Sequence, residues 1–249
     1  MPDKRGRLLV GTSGWIYRDW WGPFYPQELN QRKSLEFYCQ HFDTVEVNST
    51  YYHTPRGTTC EGWRSRTPEG FAFTLKMTGL VTHKKRLRDC ADELAVFMAA
   101  AAKLEGKLSC VLHQLPPSLH GDIPLLEGYL DMLGEHPGRH VVEFRHESWL
   151  TDDVLALLRE RGVGLCIVSG PQLPVHLEAT AAFCYFRFHG PTGCDHLYSA
   201  EELGQWAGRI APFLSEGLDC YCYFNNDVGA NAVRNARQLR DLLEGPATP

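Results

Sequence analysis

Eight short apolar runs rich in Val, Phe, Tyr and Thr recur along the chain, and their spacing restricts the fold more than any other feature. They lie at Leu8–Gly11, Thr44–Tyr51, Phe71–Met77, Leu108–Leu115, His140–His146, Gly164–Gly170, Ala182–Gly190 and Asp219–Asn226. Each has the length and composition of a β-strand. Helix-like segments separate most of them. Ser34–Phe42 is one, and the Ala- and Leu-rich stretch Cys90–Leu104 is another. Thr151–Arg161 has an N-cap threonine and is followed by Gly162. Ser199 and Glu202 have capping-box spacing and open a helix to about Ser215. Ala230–Leu243 repeats apolar residues near helical spacing.

Strands that alternate with helices pair in parallel, because parallel neighbours need crossover connections. Eight such units in 249 residues predict an α/β fold, a single (β/α)8 TIM-like barrel over residues 1–249. The sixth unit is irregular: PQLPVHLEAT, residues 171–180, carries two prolines and no helical period, so its helix is missing or replaced by a loop. A doubly wound open sheet is the alternative. It lacks the Gly-x-Gly-x-x-Gly that would place a dinucleotide after the first strand.

Alternation sends odd and even strand residues to opposite faces. Glu143 and Arg145 then share a face in the fifth strand, against Val142 and Phe144. Tyr185, Arg187 and His189 share one in the seventh, and Tyr223, Asn225 and Asp227 in the eighth. In the second strand Glu46, Asn48 and Thr50 align, and in the third Thr74 and Lys76. The opposite, apolar faces are seats for helices, so these polar faces point into the barrel. An unpaired buried charge costs several kcal/mol. Charges near the C-terminal strand ends are therefore expected at the wet mouth, where barrel active sites are built. An internal ion-pair network that only braces the barrel is the plainer reading.

The loops add to this picture. The first strand-to-helix loop holds Trp15, Tyr17, Trp20, Trp21, Phe24 and Tyr25. Most must pack beneath the loop, with one or two left to stack on a ligand. The third loop holds His83, Lys84, Lys85, Arg86 and Arg88 beside Lys76, a basic run suited to an anion or to plain solvation. The seventh, HGPTGCDH, is glycine-rich and precedes a helix N-terminus, a weak phosphate signal.

The segments VGTSGWIYRDWWGPFYP, FDTVEVNSTYYHTP, WRSRTPEGFAFTLKM, THKKRLRD, QLPPS, VEFRHESW, YFRFHGP and YFNND together resemble the YecE-like family, also called domain of unknown function 72, from about Leu9 to Leu243. The resemblance implies a TIM-like barrel and no established reaction. Characteristic positions match at Gly11–Trp15, Glu46, Asn48, Lys76, His83, Gln114, Glu143, Arg145, His189, Gly190, Asn225 and Asn226. His113 stands where the family more often has an aromatic or aliphatic residue, so it is not assigned a catalytic role.

Two functional classes follow. In the first, the chain is an enzyme, a hydrolase or lyase, acting on an anionic small molecule or nucleic-acid fragment. Lys76, Arg145 and Arg187 would hold its charge, Glu143 or Glu46 would be the general base, and His189 the proton donor. Asn48, Asn225, Trp15, Tyr17 and His83 would complete the substrate site. The Glu46/Glu143 pair would suit glycoside chemistry only at the right separation. No cofactor is predicted. A divalent metal on Glu46, Glu143, His189 and Asp227 is a variant, disfavoured by neighbouring Lys76 and Arg145. In the second class the same mouth binds a ligand or RNA without turnover.

A net charge of −5 argues against a broadly basic nucleic-acid coat. No apolar run approaches the ~20 residues of a membrane span, and no secretory signal is read at the N-terminus. The nine cysteines contain no Cys-x-x-Cys, and several lie in strand-like runs. They are read as small hydrophobes of a reduced, cytoplasmic protein.

Overall fold

The computed structural model describes residues 5–171 and 175–245. Eight strands form one sheet: β1 Leu8–Thr12, β2 Thr44–Val47, β3 Ala72–Lys76, β4 Leu108–Gln114, β5 Arg139–Glu143, β6 Gly164–Ser169, β7 Phe183–Phe188 and β8 Asp219–Phe224. Their order is β1-β8-β7-β6-β5-β4-β3-β2, and every pairing is parallel. A backbone bridge between Ser13 and Glu46 joins the β1 and β2 edges, so the sheet is a nearly closed barrel. The helices are α1 Ser34–Tyr38, α2 Gly57–Ser65, α3 Ala91–Ala101, α4 Ile123–Gly134, α5 Asp152–Arg161, α6 Ala200–Ser215 and α7 Asn231–Glu244. This is the expected TIM-like (β/α)8 architecture. Between β6 and β7 the described residues form no helix; residues 172–174 of the irregular sixth connection lie outside them.

The end signals read from the sequence operate as local chemistry demands. The Thr151 side chain accepts the Val154 N–H, and Gly162 closes α5 in the left-handed region at φ 63°. Ser199 and Glu202 form a reciprocal capping box on α6. Two helices, α2 and α4, were not among the named sequence segments. For α4 the signals were present: Asp122 accepts the Leu125 N–H, and a proline occupies the first turn. Proline there fits the helix start rather than breaking it.

Several strands are shorter than their apolar runs. The second ends at Val47, and Asn48–Tyr51 form a 3-10 turn instead. Alternation nevertheless predicts the faces correctly just past some strand ends, because the ladder continues by single bonds. The His189 N–H donates to Ser169 O at 2.8 Å, and the Asn225 N–H to Phe188 O at 2.8 Å.

Two cores flank the barrel wall. Val142, Phe144, Phe186, Phe188 and Phe224 face outward into the helix layer. Leu9, Leu112, Val141, Val168, Tyr185 and Tyr223 fill the interior. The interior is polar at its joints. At the N-terminal end Arg139 Nη2 donates to Asp219 Oδ2 at 3.0 Å. In the middle the Tyr223 hydroxyl lies 2.6 Å from Thr44 Oγ1 and 3.1 Å from Thr74 Oγ1. His113 is on the outer face, bonded to the Tyr129 hydroxyl at 2.7 Å, with its imidazole pushed down by burial. It stands across the wall from the mouth, consistent with giving it no catalytic role.

Candidate functional site

Near the C-terminal end of the barrel lies a sealed ionic layer. Arg187 donates from Nε to both oxygens of Glu46, at 3.1 and 2.9 Å, and from Nη2 to Glu46 Oε1 at 2.7 Å. Its Nη1 donates to Glu143 Oε2 at 2.6 Å. Glu46 also accepts from Ser13 Oγ at 2.7 Å and from the Tyr185 hydroxyl at 2.5 Å. Glu143 Oε1 accepts from Gln114 Nε2 and Arg145 Nη1, both at 2.8 Å.

Glu46 and Glu143 are 0% exposed and Arg187 is 1% exposed. This corrects the expectation that the charges at the C-terminal strand ends, Glu46, Glu143 and Arg187 among them, all sit at the wet mouth. Three of them are barrel core, satisfied by one another. Burial alone would raise both carboxyls, but the Arg187 charge and the donated hydrogen bonds outweigh it and hold them below the usual carboxylate range. With their lone pairs occupied and their acidity increased, Glu46 and Glu143 are weak proton acceptors.

Above this layer opens a cavity of about 750 Å³. Lys76 and Arg145 line it, and Arg187 touches it from below. Lys76 Nζ lies 4.6 Å over the Tyr51 ring, and among the described residues it has no carboxylate partner. Burial and the Arg187 charge lower its pKa to about 8.

His189, Asn225 and Asn48 form a chain along another wall. Asn225 Nδ2 donates to His189 Nδ1 at 3.1 Å, and Asn48 Nδ2 to Asn225 Oδ1 at 3.0 Å. On the other side of the ring, His189 Nε2 lies 3.1 Å from Arg187 Nη1, 3.4 Å from Arg145 Nη1 and 3.4 Å from Glu143 Oε1. Burial and the Arg187 charge lower the His189 pKa. Asn48 Oδ1 is buried without a donor. Asp227, on the β8 side, also lines the cavity, and burial raises its carboxyl to about 6.

The expected substrate-binding residues divide. Lys76, Arg145, Arg187, Asn48, Asn225, Trp15 and Tyr17 all reach the cavity. Trp15 is largely packed edge-on against Trp63, at 5.8 Å. Tyr17 donates its hydroxyl to Ser13 O. Most of the aromatic loop packs inward as expected, Trp20 and Tyr25 completely. His83 does not line the cavity. It stands behind Tyr51, ring centres 4.9 Å apart, and bonds Thr82 Oγ1.

The basic third loop does not serve the mouth either. Lys85 pairs with Glu93, Arg86 donates to Ser118, and Arg88 pairs with Asp122. At the seventh loop the phosphate signal loses its ground, because the N-terminus of α6 is already occupied. The Glu202 N–H donates to Ser199 Oγ, and the Glu202 carboxylate, which would repel an anion, accepts the Ser199 N–H.

Asp227, expected on the inward face and as a ligand of the metal variant, and Gln114, expected only from the family resemblance, both line the cavity although neither was placed in the substrate site. Tyr51 had no signal, since it lies in the 3-10 turn Asn48–Tyr51 rather than on a strand. Among the described residues no group of three or more His, Cys, Asp or Glu is placed to hold a metal ion, and no helix is long and apolar enough to cross a membrane.

Residues 9–249 match the family model "Protein of unknown function DUF72". The chain is 26% identical to the UPF0759 protein YunF of Bacillus subtilis, with 95% of each chain covered. It is 28% identical to the UPF0759 protein YecE of Escherichia coli, over 73% of this chain and 78% of that one. It also resembles the crystal structure of a DUF72 family protein from Thermotoga maritima, at 33% identity and a TM-score of 0.86, covering 96% of this chain and 99% of that one. A parallel barrel carrying these motifs over nearly its whole length belongs to the DUF72 family.

Proposed function

We propose that the chain binds a small anionic molecule, phosphorylated or derived from nucleic acid, in the cavity at the C-terminal mouth of the barrel and turns it over by acid–base chemistry. The carrying observation is Lys76. The two sealed carboxylates are balanced by Arg187 and Arg145, whereas Lys76 faces the cavity with no carboxylate partner. An anion about 4 Å from it would gain about 4 kcal/mol at the effective dielectric of a protein surface. Arg145, half-buried beside it, supplies a planar guanidinium that suits a phosphate or carboxylate.

Proton handling falls to His189 and Asp227 rather than to Glu46 and Glu143. The first pair opens on the cavity, where burial raises the Asp227 carboxyl to about 6; the second is occupied by donors. A reading without turnover, as a ligand- or RNA-binding module, is favoured by the same sealed carboxylates. A reducing cytoplasmic location is supported by nine free cysteines.

A panel of phosphorylated metabolites, short oligonucleotides and uncharged analogues tests the binding reading by thermal shift. At least one anion should raise the melting temperature, less so above pH 8 as Lys76 loses its proton, and Lys76→Met should remove the shift. Equal response of wild type and Lys76→Met to every anion would overturn it. Product formation from the bound anion then separates enzyme from binding module.

A further inference from the structure

We propose that Lys76 is a covalent anchor for a carbonyl compound, its amine forming a Schiff base with an aldehyde or ketone that enters the cavity. That the carbonyl compound is also an anion rests on the function proposed above; the covalent step stands on the lysine's own surroundings.

Those surroundings differ from every other described lysine. Lys33, Lys85 and Lys103 pair with glutamates. Lys107 donates to the carbonyls of Arg64 and Thr67 and to Thr67 Oγ1. Lys84 is exposed. Lys76 ends β3, lies over an aromatic ring, has no hydrogen-bond acceptor among the described residues, and opens on the cavity. Its backbone is held by Thr50, whose hydroxyl donates to Lys76 O at 2.7 Å, and its Nζ sits over the Tyr51 ring.

A desolvated amine without a carboxylate partner is the form in which lysine becomes a nucleophile. At about pH 7 a lysine lowered to about 8 is roughly one-tenth neutral, against well under a thousandth for an ordinary one. Asn48 follows the strand residue paired with Leu75, next to Lys76, and lines the same cavity.

The chemistry balances with groups at hand. The amine lone pair attacks the carbonyl carbon, and the C=O π pair moves to oxygen, which takes a proton. The nitrogen gives up one proton, leaving a carbinolamine. That hydroxyl then leaves as water after gaining a proton, and the C=N bond forms. His189 and Asp227 line the same cavity and are placed to carry these protons, Asp227 with its carboxyl raised to about 6.

Three probes separate the two halves of the proposal: glyceraldehyde 3-phosphate, glyceraldehyde, and glycerol 3-phosphate, which has no carbonyl. Full-length protein is treated with each in sodium cyanoborohydride, and adducts are located by intact mass and peptide mapping. The expected result is one adduct on Lys76, formed at least tenfold faster than on exposed Lys84, with half-maximal rate near pH 8. The phosphorylated aldehyde should react faster than glyceraldehyde. Lys76→Arg should lose the adduct while the remaining lysines react as in the wild type. Reaction at Lys76 no faster than at Lys84 overturns the Schiff base whatever the anions do. Equal rates for the two aldehydes, with no thermal shift from glycerol 3-phosphate, overturn the anionic ligand and leave the Schiff base standing.

Discussion

The ionic layer and the cavity above it use the same residue chemistry on the same strand faces, yet they are opposites. Glu46, Glu143 and Arg187 are sealed, and each of their charges has a partner. Lys76, His189, Asn225 and Asp227, at or just past the strand ends, border open space, and Lys76 and Asp227 lack a charged partner among the described residues. The difference teaches that position on an inward face does not define a site. What defines it is whether the neighbours already satisfy the group. The lower layer spends its polarity on bracing the barrel, and the upper layer keeps its polarity available to a ligand.

Removing one side of the sealed layer should give the largest effect. Arg187→Met leaves the fully buried Glu46 without its cation and Glu143 with Arg145 alone, at a cost of about 3–5 kcal/mol or outright failure to fold. Urea denaturation measures it. A loss below about 1 kcal/mol would mean that water reaches this layer and that the contrast with the cavity is false.

Substitutions in the cavity should change stability in the other direction. Lys76→Met removes a desolvated cation and should stabilise the ligand-free protein by about 1–2 kcal/mol near pH 7. The sign follows from a folded pKa of about 8 against an ordinary 10.5. The penalty is full below pH 8, shrinks as pH rises toward 10.5, and is absent above it. The advantage of the variant should therefore fade in alkaline solution.

Asp227→Asn should gain about 1 kcal/mol near pH 7, since this carboxyl is less deeply buried and partly screened. Its folded pKa of about 6 lies above the ordinary 3.8. The wild-type penalty is absent below pH 3.8 and complete above pH 6, so the variant's gain should vanish in acid. Melting curves of both variants between pH 3.5 and 10.5 would sharpen the comparison. A cavity substitution that destabilised as much as Arg187→Met would erase it.

Tyr223→Phe, in the middle of the interior, should cost about 1 kcal/mol. It removes a hydroxyl shared by Thr44 and Thr74, and Thr44 keeps its bond to Ala72 O at 2.9 Å. A neutral result in denaturation would indicate that this joint is slack.

The alternation of apolar runs with helical segments determined the barrel, because few other arrangements pair eight parallel strands and cover their outer face. Period-two alternation determined which residues turn inward, and it held for His189 and Asn225 because each keeps one backbone bond to the neighbouring strand. The helix ends at Thr151, Gly162 and Ser199 were legible because capping is local chemistry. Only the closed barrel decided that Glu46, Arg187 and Glu143 meet and exclude water while Lys76 faces a cavity. That outcome depends on groups from β2, β3, β4, β5 and β7 lying at matching heights around one axis, and a periodicity along a single strand carries no information about height on another. The same reason removed the basic third loop from the mouth: its partners Glu93, Ser118 and Asp122 are neighbours in space, not in the run of charges itself.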